Sequence, residues 1–387
     1  MQHGDTISFS KGVVRVVTLA NLRNCEAWKR ALEKKCKDHR YYEIVEETLQ
    51  DGFEHHYLLL DDASGNTCAI QPVFFVRQNL VEGVPGTISS IVDRVRKIFP
   101  RFLTMRVLMV GCAAGTGDLA ACNENDEAWV ANGLQASLST YARQNKASLV
   151  VLKDFPATYR SELEMFPING YARIPSMPMT RLPLHYNNWD DYLRTLSKAT
   201  RKDLRRKFRN AERAPKIEME VVSDITPLVD EIYPLYLAVH ERSPLKFETL
   251  TRDYFRAIGQ QMPDRTRFFI WRQLGKIVAF SFCVVCDDKI YDECIGLDYG
   301  VALDLHLYFY TLRDIISWAL KQGLKYYYSN PLNYEPKLHL DCELVPLDLY
   351  VTHTNPLLNS IFRHLIKYLG PTRHDPLLQR FPNADQL

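Results

Sequence analysis

KIVAFSFCVVCDDKIYDECIGLDYGVALDLHLYFYTLRDIISWALKQGLKYYYSNPLNYEPKLHLDCELVPLDLYVTH (residues 276–353) is the stretch on which the fold turns. KIVAFSFCVVC reads as a strand apolar on both faces, Asp287-Asp288 as a turn, and KIYDECIGLD as the returning strand. In LDLHLYFYTLRDIISWALKQG the apolar positions Leu305, Tyr308, Leu312, Ile315, Ile316 and Ala319 recur about every 3.6 residues, which predicts a long helix stopped at Gly323. KYYYSNP is a short strand, Lys337 follows in a polar loop or short helix, and ELVPLDLYVTH closes with a strand. A long helix behind a buried sheet follows from this order.

Working back from residue 276, TRFFIWRQLGKIVAF forms a hairpin through Leu274-Gly275. KIEMEVVS is a strand, ITPLVDEIYPLYLAVHERS a helix interrupted at Pro234, and LTRDYFRAIGQQM a second helix. Ahead of them lies NNWDDYLRTLSKATRKDLRRKFRNAER, the most charged part of the chain. Read as one helix it lines up Leu193, Leu196, Leu204, Phe208 and Ala211 on one stripe and leaves Lys198, Arg201, Lys202, Arg205, Arg206 and Arg209 for the rest of its surface. Arg201 and Arg205 stand one turn apart, a spacing that suits a single phosphate. The plain alternative is a solvated helix face.

In the first half, VVRVVTL, YYEIVEETLQ, EHHYLLLDD, TCAIQPVFFV, MRVLMVG and ASLVVLKDF read as strands. NLRNCEAWKRALEKKC, Ile88–Ile98, Asp126–Asn145 and ATYRSELEMF read as helices, and YARIPSMPMTRLPL as an extended exit. VLMVGCAAGTGD, with Gly111, Gly115 and Gly117 after an apolar strand, invites comparison with a nucleotide-binding glycine loop. Such a loop opens onto a helix whose amides hold phosphate, with an acidic strand end about 20 residues on. Here the loop runs into DLAACNENDE, whose carboxylates repel phosphate, and Asp154 comes too late. A glycine-rich turn is the simpler reading.

The chain has 387 residues, 48 basic and 46 acidic, a net charge of +2, so only local charge clusters speak to partners. No apolar run is long enough to cross a bilayer, and MQHGDTISFSKG has neither the basic nor the apolar segment of a signal peptide. Nine scattered cysteines read as reduced thiols of a cytoplasmic protein. Cys283 and Cys286 make a CxxC inside a strand, facing opposite sides and without a second pair, which argues against a metal or redox site. No metal and no tightly bound cofactor is expected.

The segment LHLYFYTLRDIISWALKQGLKYYYSNPLNYEPKLHLDCELVPLDLY (residues 305–350) resembles the GNAT acyltransferase superfamily, specifically its peptidoglycan-related branch with the FemABX aminoacyltransferases. The Leu-Ser followed by an Arg-rich helix is similar to the entry to the second lobe in that branch. The resemblance implies an α/β (α+β) fold of two tandem GNAT-like lobes, each a mixed, mostly antiparallel sheet flanked by helices. Residues 1–180 are expected to form a degenerate N-terminal lobe and residues 181–387 the acyltransferase lobe. It also implies two central strands that splay apart to admit an acyl donor, and direct attack by an amine without a covalent enzyme intermediate.

The donor so implied is an acyl-CoA, an acyl carrier protein or an aminoacyl-tRNA. The acceptor is a small or peptidic amine in a biosynthetic setting, and tRNA is a possible partner through residues 198–213. Catalytic candidates are Asp298 first, then Glu293 and His306, on or just after KIYDECIGLD; Asp292 and Glu293 alternate, so one of the two faces a cleft. Substrate or phosphate contacts are assigned to Lys337, by its match to the family's lysine before the last strand, and to Arg201, Arg205, Lys198, Tyr299 and Asn330. Where the family more often has a glycine after that lysine, this chain has Leu338-His339-Leu340-Asp341. A non-catalytic binding module of the same fold, recognising a cell-wall precursor or another phosphorylated ligand, is the alternative. Nucleic-acid binding by residues 198–213 alone would want aromatic platforms, and Phe208 is the one at hand.

Overall fold

A computed structural model of the chain describes residues 6–79, 94 and 104–387. The expected helix Ile88–Ile98 lies outside the described residues, Arg94 apart. The chain divides into two compact units, one of Met1–Met177, Pro346–Pro376 and Leu387, the other of Pro178–Val345 and Leu377–Gln386.

The first unit is built on an eight-stranded sheet. In spatial order it holds β1 (Thr6–Phe9), β2 (Gly12–Val17), β3 (Phe53–Asp62), β4 (Thr67–Asn79), β5 (Thr104–Val110), β6 (Leu149–Pro156), β15 (Leu347–His353) and β7 (Ala172–Pro175). All neighbours are antiparallel except β5 and β6, which the helix Glu127–Gln144 joins in parallel. The second unit repeats the plan with seven strands: β14 (Glu343–Val345), β8 (Met179–Pro183), β13 (Tyr326–Ser329), β12 (Lys289–Leu297), β11 (Lys276–Cys286), β10 (Thr266–Gln273) and β9 (Ile217–Val222). Its one parallel pair is β12 with β13, joined by the long helix Leu307–Lys321. A parallel neighbour needs a crossover, and in both sheets a helix supplies it.

The chain passes from one unit to the other between β7 and β8 and back between β14 and β15. β8 follows β7 directly in the chain but pairs with β13 and β14 in the second sheet. β15 follows β14 across Pro346 but inserts between β6 and β7 of the first sheet. The sequence therefore misleads on the tail: ELVPLDLYVTH is two strands in two sheets, and Pro346–Pro376 belongs to the first unit and not to a lobe of residues 181–387. Pro346 has no N–H for a ladder, so the break falls where pairing stops.

Other readings need correction. YYEIVEETLQ is mostly helix (His39–Thr48), since Asp38 accepts the Arg40 N–H at its start and Tyr41, Tyr42, Ile44 and Val45 are buried at helical spacing. The charged segment is two helices, Trp189–Thr195 and Lys198–Glu212, broken where Leu196 is extended and Ser197 caps the Thr200 N–H. ATYRSELEMF gives two single turns, Ala157–Tyr159 and Met165–Ile168.

The core of the second unit sets the site. Leu312, Ile315, Ile316 and Ala319 of the long helix are buried on one side, against Cys283, Ile290, Leu297 and Tyr327 of the sheet and Leu204 and Phe208 of the basic helix. Each such aliphatic side chain contributes about 1.5–3 kcal/mol relative to exposure. Arg313 lies 3.9 Å from the Tyr310 ring and 4.8 Å from that of Phe208, and Trp271 donates its indole N–H to Asp314 at 2.8 Å. These contacts fix the helix over the sheet.

Candidate active site

β12 and β13 pair from Lys289–Tyr326 to Asp292–Ser329 and no further. The remainder of β12, residues 293–297, continues along β11 alone, so the parallel pair opens as a V. The opening begins at a β-bulge. Phe282 faces Cys294 and Cys283 faces Asp292, which leaves Glu293 as the extra residue. Past the bulge the strand alternates again. The Asp298 N–H bonds to Val278 O on the β11 side, whereas Glu293 O accepts from Asn330 on the β13 side. By that alternation the main-chain groups of Ile295 and Leu297 are directed into the gap. Among the described residues no strand pairs with them there.

Side chains knit the closed end of the V. Asn330 Nδ2 donates to Glu293 O at 2.7 Å and lies 3.1 Å from Glu293 Oε2. Beneath it, Asp292 accepts from Ser281 Oγ at 2.5 Å and from the Tyr327 hydroxyl at 2.7 Å. Burial pushes the Asp292 carboxyl above its ordinary range; the two hydroxyls and the Lys337 charge pull it back, and neighbouring Glu293 adds to the rise. Burial also raises the Tyr327 phenol, so it stays a donor to Asp292.

Lys337 sits in the short helix Tyr334–His339 and is 3% exposed. Its ammonium donates to the carbonyls of Asn330 and, at 2.8 Å, Leu332. Leu332 and Asn333 both have left-handed backbone (φ 74° and 49°), a conformation that costs energy outside glycine. Lys337 is thus the clamp on the tight loop that presents Asn330. Burial lowers its pKa to about 8, opposed by Cys342 and Asp292, and the same burial raises the Cys342 thiol to about 12. A direct phosphate contact, as the family match implies, does not fit this enclosed amine.

The other expected site residues divide. Glu293 and Asn330 meet at the bulge. Asp298 stands beyond the open end, where it accepts from Lys276 at 2.6 Å and from the Gly300 N–H at 2.9 Å. The Lys276 hydrogen bond above all holds its carboxyl below the usual range, the wrong direction for a base at neutral pH. Tyr299 is covered by the Arg242 guanidinium at 3.9 Å. His306, left-handed at φ 48°, caps the long helix with its carbonyl, which accepts from the N–H groups of Phe309 and Tyr310. Burial, then Lys207 and Arg206, depress its pKa.

Arg201 donates to the carbonyls of Arg194 (2.6 Å) and Leu196 (3.0 Å) and so closes the preceding helix; the phosphate grip with Arg205 loses one of its two members. Lys198 and Arg205 are exposed on the basic helix, as are Lys202 and Arg209. Lys207 is tied to Asp203 and to the Phe309 ring. Sequence reasoning offers Asp292 as the alternate to Glu293 and passes over Ser281 and Tyr327. Their signal was present only as polar residues in otherwise apolar strands. Among the described residues no cluster of side chains suited to a metal ion occurs.

Comparison with known proteins points the same way. Residues 198–335 match the family described as acetyltransferase (GNAT) domain. The tandem fold aligns with FemX (TM-score 0.52, 11% identity, 86% of this chain and 96% of that one). It also aligns with a tandem GNAT protein from the clavulanic acid biosynthesis pathway (TM-score 0.50, 12%, 89% and 99%). A conserved protein of unknown function from Bacteroides thetaiotaomicron aligns as well (TM-score 0.50, 14%, 87% and 97%). In sequence, the chain is 21% identical over 352 residues to the "Putative 8-amino-7-oxononanoate synthase 2" of Mycobacterium tuberculosis, with 87% of this chain aligned. It spans 45% of that relative's length, so the relative's full activity belongs to a larger protein.

Proposed function

We propose that the second unit is an N-acyltransferase site at the V between β12 and β13, a reading supported by the match of residues 198–335 to the GNAT acetyltransferase domain and by a tandem fold like that of FemX. The single observation that carries this reading is the parallel pair that opens at a bulge bearing a carboxylate. The acyl group of a thioester or ester lies along the open end, its carbonyl oxygen against the inward N–H groups of β12. Main-chain donors are fixed in place before the substrate arrives, which is what a developing oxyanion needs.

The acceptor amine binds at the closed end beside Glu293. As its nitrogen attacks, a C–N bond forms and the C–S or C–O bond of the donor breaks. The ammonium proton passes to Glu293, and the departing thiolate or alkoxide takes up one proton in turn. Asp292, hydrogen-bonded to Ser281 and Tyr327, anchors the bulge and adds negative potential that favours a cationic acceptor. Asn330 orients Glu293, and Lys337 holds Asn330. The exposed cations Lys198, Lys202, Arg205 and Arg209 favour an anionic donor such as a coenzyme A thioester, an acyl carrier protein or an aminoacyl-tRNA.

Mass spectrometry of the purified protein incubated with pooled acyl-CoAs, acyl carrier proteins, charged tRNAs and candidate amines tests the proposal. A new amide is expected with one donor class, and none with Glu293→Gln. No amide under any combination, with the fold intact, would overturn transfer in favour of ligand binding alone.

A further inference from the structure

The helix Pro356–Leu365 and the turn Ile366–Leu369 behind it are amphipathic in an unusual sense. The helix is pinned to the first unit by polar and aromatic groups. Asn359 donates to Gly170 O at 2.8 Å and accepts the His353 N–H at 2.9 Å, and the Phe362 ring lies 6.0 Å from that of His353. Ile366 is buried on that same side. Leu357 is 83% exposed, Ile361 63% and Tyr368 63%, with Leu358 and Leu365 more than half exposed. At 100° per residue, positions 357, 358, 361 and 365 fall within about a quarter-turn of one another. Ile168, 71% exposed, stands two residues before Gly170, against which the helix is fastened. Five of the nine large apolar residues exposed among those described lie on this one segment, which is a surface and not scatter.

The charge of the segment itself has one sign. From Leu349 to His374 the sequence has no aspartate or glutamate, while Arg363, Lys367 and Arg373 are cationic. Arg363 and Arg373 are exposed, and Arg373 lies 5.0 Å from the Tyr368 ring. We infer that this face seats the protein on an anionic lipid surface, with Leu357, Leu358, Ile361 and Leu365 entering the acyl boundary, Tyr368 at the headgroup level and Arg373 beside it on the phosphates. A second copy fits less well, because a two-fold contact through this face would bring Arg373 against its own counterpart. This is attachment along the interface only: among the described residues no helix is long and apolar enough to cross a membrane. It rests on different residues from the proposed transfer site and stands or falls separately.

Co-sedimentation of the full chain with phosphatidylcholine vesicles, with and without phosphatidylglycerol, tests it. Binding is expected only with the anionic lipid, weakening as salt rises. Ile361→Asp/Leu365→Asp, which alters exposed side chains alone and is checked by circular dichroism, is expected to lower partitioning roughly tenfold or more. Arg373→Glu is expected to weaken it by about threefold to tenfold, in line with one cation lost and one anion gained. Absence of binding to anionic vesicles, or binding that the double variant leaves unchanged, overturns the inference. So does a wild-type dimer in sedimentation velocity that the double variant converts to monomer, since the face is then a contact between copies.

Discussion

Both units contain a parallel strand pair joined by a helix, yet one pair opens and the other is stopped up. In the second unit β12 runs on past the last β13 partner, and its main chain faces a gap. In the first, β5 stays paired with β6 to its end at Val110. The chain then folds over the spot where a gap would begin: Gly117 donates to Asp154 O at 3.0 Å, Lys153 Nζ donates to Gly115 O at 2.9 Å, and Tyr41 donates to Ala114 O at 2.6 Å. Cys112, Ala113 and Ala114 are buried in that plug. The glycine loop that resembled a phosphate cradle in sequence is therefore turned onto its own sheet. One architecture, used twice, offers main-chain donors to a ligand in one unit and satisfies them internally in the other.

The sharpest way to break this contrast is to remove the carboxylate at the open pair. Glu293→Gln keeps the shape and the contact with Asn330 but cannot accept a proton. Transfer is expected to fall about a hundredfold or more, with the thermal midpoint little changed. Asp118→Asn in the first unit, beside Lys35 and Tyr159, is expected to leave transfer within about twofold. Equal losses from the two substitutions would remove the functional asymmetry between the units.

Lys337 sharpens it further. Lys337→Met keeps the bulk and deletes the clamp on Asn330 and Leu332, so transfer is expected to drop about tenfold through misplacement of Asn330. The pH dependence of stability gives an independent reading. In the folded protein Lys337 loses its proton near pH 8, whereas the unfolded chain keeps it until about 10.5. Between those values the unfolded state binds the extra proton, so the wild type gains stability as pH rises, by up to about 3 kcal/mol. Denaturant titrations of both proteins from pH 7.5 to roughly 10 are expected to show the wild type gaining relative to Lys337→Met. Parallel curves would mean that the amine is not enclosed.

How much of this could be read from the chain depends on how local each cause is. The hairpin at Leu274-Gly275 and the long helix were legible, because a left-handed pair and a 3.6-residue repeat announce themselves in adjacent residues. The bulge at Glu293 was not. YDECIG looks like an uninterrupted strand, and strict alternation demanded a choice between Asp292 and Glu293, whereas the bulge lets both serve the site. Lys337 was found, but its enclosure was hidden, since the carbonyls it binds come from left-handed Leu332 and Asn333 that no glycine marks. The crossing at Pro346 was illegible for a different reason. ELVPLDLYVTH is apolar enough to complete either sheet, and which sheet has a vacancy beside β6 or β8 is decided by strands more than 150 residues away in the chain. Helix His39–Thr48 was misread because its tyrosines and valine favour strands, and the burial at Tyr41, Ile44 and Val45 outweighs that preference.

The plug in the first unit is testable by packing alone. A Cβ at Gly117 would lie 2.4 Å from the Phe155 ring and 2.5 Å from Lys153 O. Main chain and a buried aromatic leave little room to yield, so Gly117→Ala is expected to cost about 1–3 kcal/mol in chemical denaturation. Its effect on transfer, measured below the unfolding transition, is expected to stay within about twofold. A larger loss of transfer would mean that the first unit takes part in the chemistry.

A small effect is expected at Asp298, the carboxylate that sequence reasoning ranks first. Its bond to Lys276 is short, but the lysine side chain is 74% exposed, so solvent and salt weaken the pair. Asp298→Asn is expected to cost a few tenths to about 1 kcal/mol and to leave transfer within about threefold. The sign of its pH dependence is opposite to that of Lys337. With the folded carboxyl held below its ordinary value of 3.8, the contribution is complete above that pH and disappears as pH falls through the depressed folded value. Wild type and Asp298→Asn should therefore differ in stability at neutral pH and converge in acid. A loss of transfer at Asp298 as large as that at Glu293 would move the proton acceptor from the closed end of the V to the turn beyond its open end, and with it the whole orientation of donor and amine.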